Sequence, residues 1–395
     1  MVRWRFMSVV AALALSWALS AQGAAASTLP GSLTTGSYGN SSGTLSYELY
    51  VPSTYKAGTA VPLVVALHGC TQTADVYRQL SGWDTEAQAK NFIVLFPQQS
   101  SSRNSEECWN WFQQADMQRG SGEPAIIAGM VSSVEQNYSI DTKRVYVAGF
   151  SAGGAMANVM GATYPDVFAA VGVGSGCEYN GLPCVGAPGP AASQTGQEAY
   201  QAMGSYARVM PAIVFQGDAD DIVAPANAPL IVSEWQVTDN YAAGGSASGG
   251  SASGGGSAGG GSGYTLPTGS GYTLPTGSWT SFLSGSACSG VFSVLPGCSA
   301  SGSVGGGTGG TGSSAPSGPI PTAPTGTTSG SMPGGESYTV TTYGDGQGHD
   351  LIDYWLIHGM NHAWSGGNSS EQYADPAGPS ETDAMYTFFT NHPLP

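Results

Sequence analysis

Six short apolar runs punctuate this chain, and their spacing predicts its architecture. Residues 61–67 read V-P-L-V-V-A-L, apolar at every position, as expected of a strand buried on both faces rather than one that alternates. Residues 92–96, 145–148, 169–173, 212–215 and 351–357 read the same way. Between them the period lengthens. Across 124–138, Ile127, Met130, Val131, Val134 and Tyr138 fall on one stripe at helical spacing, with Pro124 in the first turn, where its missing N–H costs nothing. Alternating strands and helices predict an α/β fold: a mostly parallel central sheet with helices on both faces.

Two segments break the pattern. At the start, Arg3 and Arg5 precede an apolar stretch at 9–19 and the small residues Ala24, Ala25 and Ala26. That layout predicts a signal peptide over 1–26, and the stretch is short for a membrane span. Residues 244–337 are mostly Gly, Ser, Thr, Pro and Ala, with the octapeptide G-Y-T-L-P-T-G-S repeated in tandem at 263–270 and 271–278. Such composition buries too little apolar surface to offset chain entropy, so a long disordered insert is expected. Trp279, Phe282, Phe292 and Leu295, around Cys288 and Cys298, form an island expected to pack back on the domain. The domain itself is then expected in two pieces, 27–243 and 338–395.

Charge narrows the partners. The formal net charge is −16 with only 10 Lys and Arg, which leaves no basic surface for nucleic acid or anionic lipid. An uncharged or ester-type substrate and a monomer are expected instead. The acidic balance also suggests adaptation to acidic surroundings. Six cysteines, Cys70, Cys108, Cys177, Cys184, Cys288 and Cys298, fit an exported protein that works outside the cytoplasm, extracellularly or in a periplasm. The close pairs Cys177/Cys184 and Cys288/Cys298 would leave Cys70 to Cys108. No C-x-x-C pair is present, so no zinc site is expected.

The pattern G-x-S-x-G occurs three times, around Ser41, Ser151 and Ser257. In a chain with 60 glycines the pattern alone means little. Only Ser151 follows an apolar strand and precedes a small-residue helix, the context of a nucleophile elbow. A serine hydroxyl needs a base, an orienting acid and an oxyanion hole. Acid candidates Asp218, Asp220 and Asp221 follow the strand at 212–215, and Asp220 fits the G-x-x-D-x-x-V arrangement usual in this fold. His362, four residues beyond the strand-end residue His358, is the expected base. The i, i+4 pairing of the two histidines points to no metal, because Gly359 and the preceding strand argue against a helix there. The oxyanion hole is expected from the N–H groups of Ala152 and Cys70. His68, which ends a buried strand ahead of Ser151, is expected to be structural. Neither metal nor organic cofactor is expected.

Five motifs in order, V-V-A-L-H-G-C-T-Q, E-C-W-N-W-F, V-A-G-F-S-A-G-G-A-M, Q-G-D-A-D-D-I-V and G-M-N-H-A-W-S-G-G, resemble the polyhydroxybutyrate depolymerase family of esterases, which is related to feruloyl and acetylxylan esterases. The resemblance covers nearly all of the globular part. It implies an α/β-hydrolase fold, Ser151 as nucleophile, Asp220 as acid, His362 as base and Cys70 as an oxyanion donor. It also implies that Trp109, Trp111 and Trp364 line an ester cleft. Two departures stand out: Gln216 replaces a His often found before G-D-A-D, outside the triad, and the insert between acid and base is unusually long. The expected activity is hydrolysis of polyhydroxybutyrate or short 3-hydroxyalkanoate esters, with feruloyl or acetylated polysaccharide esters as the alternative. A non-catalytic exported binding protein on a hydrolase scaffold is the alternative of another class.

Overall fold

Ten strands form one sheet in the computed structural model, which describes residues 29–244, 320–333 and 335–395. The strands are β1 (Ser32–Asn40), β2 (Gly43–Val51), β3 (Val61–Leu67), β4 (Ile93–Gln98), β5 (Ile140–Phe150), β6 (Val171–Gly174), β7 (Ala212–Gly217), β8 (Gly326–Ser331), β9 (Ser337–Gly344) and β10 (Asp350–His358). Their order across the sheet is β1-β2-β4-β3-β5-β6-β7-β10-β9-β8. The six central strands β4, β3, β5, β6, β7 and β10 run parallel, and antiparallel strands flank them on both sides. These six are the apolar runs read from the sequence, within a few residues at each end. The expected signal peptide, the octapeptides, Ser257 and the Cys288/Cys298 island lie outside the described residues.

Helices cover both faces. On one face lie α3 (Gly122–Asn137), α4 (Ala152–Thr163), α5 (Ala192–Met203) and α6 (Asn227–Ala242); on the other, α1 (Ala74–Ser81), α2 (Trp83–Lys90) and α7 (Glu381–Thr390). β3 shows how the layers divide. Leu63, Val65 and Leu67 enter the first core, Val64 and Ala66 the second, and all five are at most 1% exposed. Successive side chains of a strand point to opposite faces, so a strand between two helix layers must be apolar throughout.

The sheet edges were not legible as strands. β1 and β8 are almost wholly exposed Ser, Thr, Gly, Tyr and Asn, with no apolar face to mark them. Ser41 lies in the two-residue turn joining β1 to β2, where Asn40 faces Gly43. That copy of G-x-S-x-G is a hairpin turn. The expectation of an insert reaching 337 is corrected here. Ile320 is buried in the domain and bonded through its N–H to Asn240 Oδ1 at 2.6 Å, and the chain then forms β8. A polar edge strand and a loose linker share one composition, and only the ladder to β9 separates them.

Candidate active site

The carboxyl ends of β3, β5, β7 and β10 meet at one edge of the sheet, the edge where parallel sheets build their sites. At the end of β5 the chain turns straight into α4, and Ser151 occupies the corner with φ 56° and ψ −121°. A non-glycine residue rarely adopts such a backbone, which costs on the order of 1–3 kcal/mol and persists only when the surroundings enforce it. Here the Ser151 N–H donates to Gly174 O of β6 at 2.8 Å. The flanking glycines are sterically required: a Cβ on Gly149 would sit 2.2 Å from Gly153 O, and one on Gly153 would sit 2.1 Å from Leu67 O. The backbone of the elbow thus packs directly on the end of β3.

The loops that carry Asp220 and His362 leave the neighbouring strands β7 and β10. A Cβ on Gly217 would meet Met360 O at 2.1 Å, so glycine permits their close approach. His362 Nδ1 donates to Asp220 Oδ2 at 2.8 Å, with both side chains almost fully buried. The other carboxylate oxygen, Oδ1, accepts the N–H groups of Ile222 and Val223, each at 2.9 Å. The His362 ring lies on Phe150, the residue before Ser151, with centroids 4.8 Å apart. The Ser151 hydroxyl is not itself hydrogen-bonded to the ring, a bond that catalytic sites often tighten only with substrate in place. His358 instead pairs with the exposed Asp218, Nδ1 to Oδ2 at 2.9 Å, and Asp218 Oδ1 accepts the Gly359 N–H. Asp221 is exposed.

The loop after β3 is braced from below. Cys70 is bridged to Cys108, the Thr71 N–H donates to Glu106 O, and Trp109 Nε1 donates to His68 O at 3.0 Å. None of the turn, cap or side-chain hydrogen bonds uses the N–H of Cys70 or of Ala152. His68 is buried with both ring nitrogens engaged by backbone: Nδ1 with Gly69 O at 2.7 Å, and Nε2 accepting from the Gln99 N–H at 3.0 Å. Burial lowers its pKa to about 4 despite the bond to Gly69, so the ring stays neutral. Beneath it, buried Glu123 accepts from Gln99 Nε2 and from both the backbone and side-chain nitrogens of Asn110. Burial, then the charge of Asp116, raises its carboxyl to about 7 against those hydrogen bonds.

A second bridge, Cys177–Cys184, closes a loop that props the acid turn. Val185 pairs with Val223, the Gly186 N–H donates to Ile222 O at 2.9 Å, and Asn227 Nδ2 donates to Cys184 O at 2.8 Å.

All three tryptophans expected at an ester cleft are buried. Trp109 and Trp364 are 0% exposed, and Trp111 is 5% exposed within the core. Trp364 Nε1 donates to Thr382 Oγ1, which ties the base loop to α7. Trp109 is likewise engaged by the loop after β3 through His68 O, and Trp111 packs edge-on against Phe112. Gln216 went the other way. It carried no role in the sequence, yet it is buried at the end of β7 and bonded to Asp220. Its position four residues before the acid was the available signal.

The sheet order and the elbow define an α/β-hydrolase. In overall structure the chain is similar to an acetyl xylan esterase from Aspergillus awamori, with TM-score 0.57 and 20% identity, covering 91% of this chain and all of that one. A family model described as Esterase PHB depolymerase matches residues 45–254, more than half of the sequence, and the chain belongs to that family. Among curated proteins it is 43% identical over 202 residues to poly(3-hydroxyalkanoate) depolymerase C of Paucimonas lemoignei, covering 48% of this chain and 47% of that protein. It is 40% identical over 182 residues to a probable acetylxylan esterase A of Aspergillus fumigatus, covering 44% and 47% respectively. The chain thus spans about half the length of these curated relatives.

Proposed function

We propose that this protein is an exported serine esterase in which Ser151 attacks a carboxylic ester, His362 takes its proton and Asp220 holds the imidazole. The observation that carries this reading is the Ser151 elbow beside a buried His362–Asp220 pair on the same sheet edge. With Nδ1–H donated to Asp220, Nε2 is left free to act as the base. The hydroxyl proton passes to Nε2 as Oγ bonds to the carbonyl carbon. The oxyanion that forms accepts the Cys70 and Ala152 N–H groups. The imidazolium then returns its proton to the leaving alkoxide, and water repeats the sequence to release the acid. The two disulfides support work outside the cytoplasm.

The favoured substrates are 3-hydroxyalkanoate oligomers or polymers, after the 43% identity to a poly(3-hydroxyalkanoate) depolymerase. A second reading, deacetylation of xylan, is supported by relatives named acetylxylan esterase. Assaying 3-hydroxybutyrate oligomers, acetylated xylan and ethyl ferulate side by side separates these. A fluorophosphonate probe should label the native protein and not Ser151→Ala; an unlabelled native protein would favour a binding role and sink the esterase reading.

A further inference from the structure

Gln216 is the penultimate residue of β7, its side chain is fully buried, and its Nε2 donates to Asp220 Oδ2 at 2.8 Å. That oxygen is the one that also accepts from His362 Nδ1. The remaining approaches of Nε2, to Gly217 O and Val223 O, are both 3.4 Å. Among the described residues its Oε1 has no hydrogen-bond partner, and neither does Oγ of the buried Ser175 just past the adjacent end of β6. An unpaired buried amide oxygen is unfavourable. Reversing the amide would aim that oxygen at a carboxylate, which is worse. The orientation of the amide is therefore set chiefly by Asp220, with the Gly217 and Val223 carbonyls as longer acceptors on the same side.

We propose that Gln216 is a positioning residue for the base: its amide fixes the plane of the Asp220 carboxylate so that Oδ2 faces His362 Nδ1. The inference rests on the Ser151–His362–Asp220 reading above. Asp220 then has two anchors on Oδ1, the Ile222 and Val223 N–H groups, and one on Oδ2 besides the histidine. Without the amide, Oδ2 is held only by the ring it is meant to orient, and the carboxylate can rotate with it. A carboxylate in place of the amide would repel Asp220 directly.

The test uses the full-length protein and a soluble short-chain ester. Gln216→Met keeps the length and removes the donor. Its kcat should fall about tenfold with KM within twofold and the melting temperature within a few degrees. The far-downfield proton resonance of His362 Nδ1, identified by its loss in His362→Ala, should move or broaden. Gln216→Glu, which keeps size and polarity, should lose more than Gln216→Met at neutral pH and serves if the methionine variant does not fold. Unchanged kcat and an unmoved resonance in a folded variant overturn the proposal, provided fluorophosphonate labels Ser151 in the native protein. If it does not, the triad reading falls and the positioning role with it.

Discussion

Two histidine–aspartate pairs lie side by side on the same two loops, and their hydrogen bonds are nearly the same length. Asp218 meets His358 at 2.9 Å and Asp220 meets His362 at 2.8 Å. Burial separates them. The outer side chains are about 40% exposed, whereas those of the inner pair are at most 4% exposed. In water an ion pair of this kind contributes little and is screened by salt. The outer pair acts as a clasp: Asp218 also binds the Gly359 N–H, and the Asp218 and Ala219 N–H groups bond to Ile357 O and Met360 O. Burial pushes the Asp218 carboxyl up, but the Gly359 N–H and His358 more than offset it and hold it below the ordinary range. The inner pair faces the elbow in a dry setting, where a carboxylate can fix a tautomer. Distance alone would not have told the two apart.

The contrast breaks or stands on measured activity. Ser151→Ala and His362→Ala should each lower kcat at least about 10⁴-fold on a soluble ester. Next, Asp220→Asn should cost about 10³–10⁴-fold while Asp218→Asn stays within about threefold; equal losses at the two sites would erase the distinction. The comparison sharpens on the opposite wall, where the Cys70–Cys108 bridge closes a 38-residue separation. Replacing both cysteines by serine should cost about 4 kcal/mol in the chain-entropy account and lower the melting temperature by roughly 10 °C.

The smallest expected effect concerns pH. Glu123 titrates at about 7 in the folded protein against 4.5 for the free side chain. A raised folded pKa means the native state holds the proton more tightly. Its contribution is fully present below pH 4.5 and is lost as pH rises through about 7. His68, lowered to about 4 from 6.5, acts oppositely and contributes stability that is lost as pH falls through that window. Urea unfolding of Glu123→Gln isolates the first effect. Wild type minus variant should be larger at pH 5 than at pH 8, by up to about 3 kcal/mol. An equal difference at both pH values would refute it.

How much of this was readable in the sequence depended on burial. The six central strands showed themselves because their doubly buried stretches are continuous apolar runs, and Ser151 because its G-x-S-x-G alone lies between such a strand and a small-residue helix. The edge strands β1 and β8 were hidden because most of their residues are exposed and polar, although Tyr38 of β1 packs against α3. Asp220 could be preferred over Asp218 only by motif, since both follow β7 within three residues of its end. The burial of the tryptophans was not legible, because an indole near a site in sequence can face the core as readily as the cleft. Gln216 was noticed in the sequence only as a departure from the family pattern outside the triad, because its bond to Asp220 is visible only in three dimensions.

The strand that delivers the base, β10, is among the last elements of the sequence, yet it is wedged between β7 and β9. A nascent chain that has reached residue 244 already possesses hydroxyl and carboxylate but no imidazole to join them. The proposed triad is therefore incomplete until the final sixth of the chain has been synthesised and zipped into the sheet. Two separately expressed halves, divided somewhere within 245–319, should regain activity only on mixing.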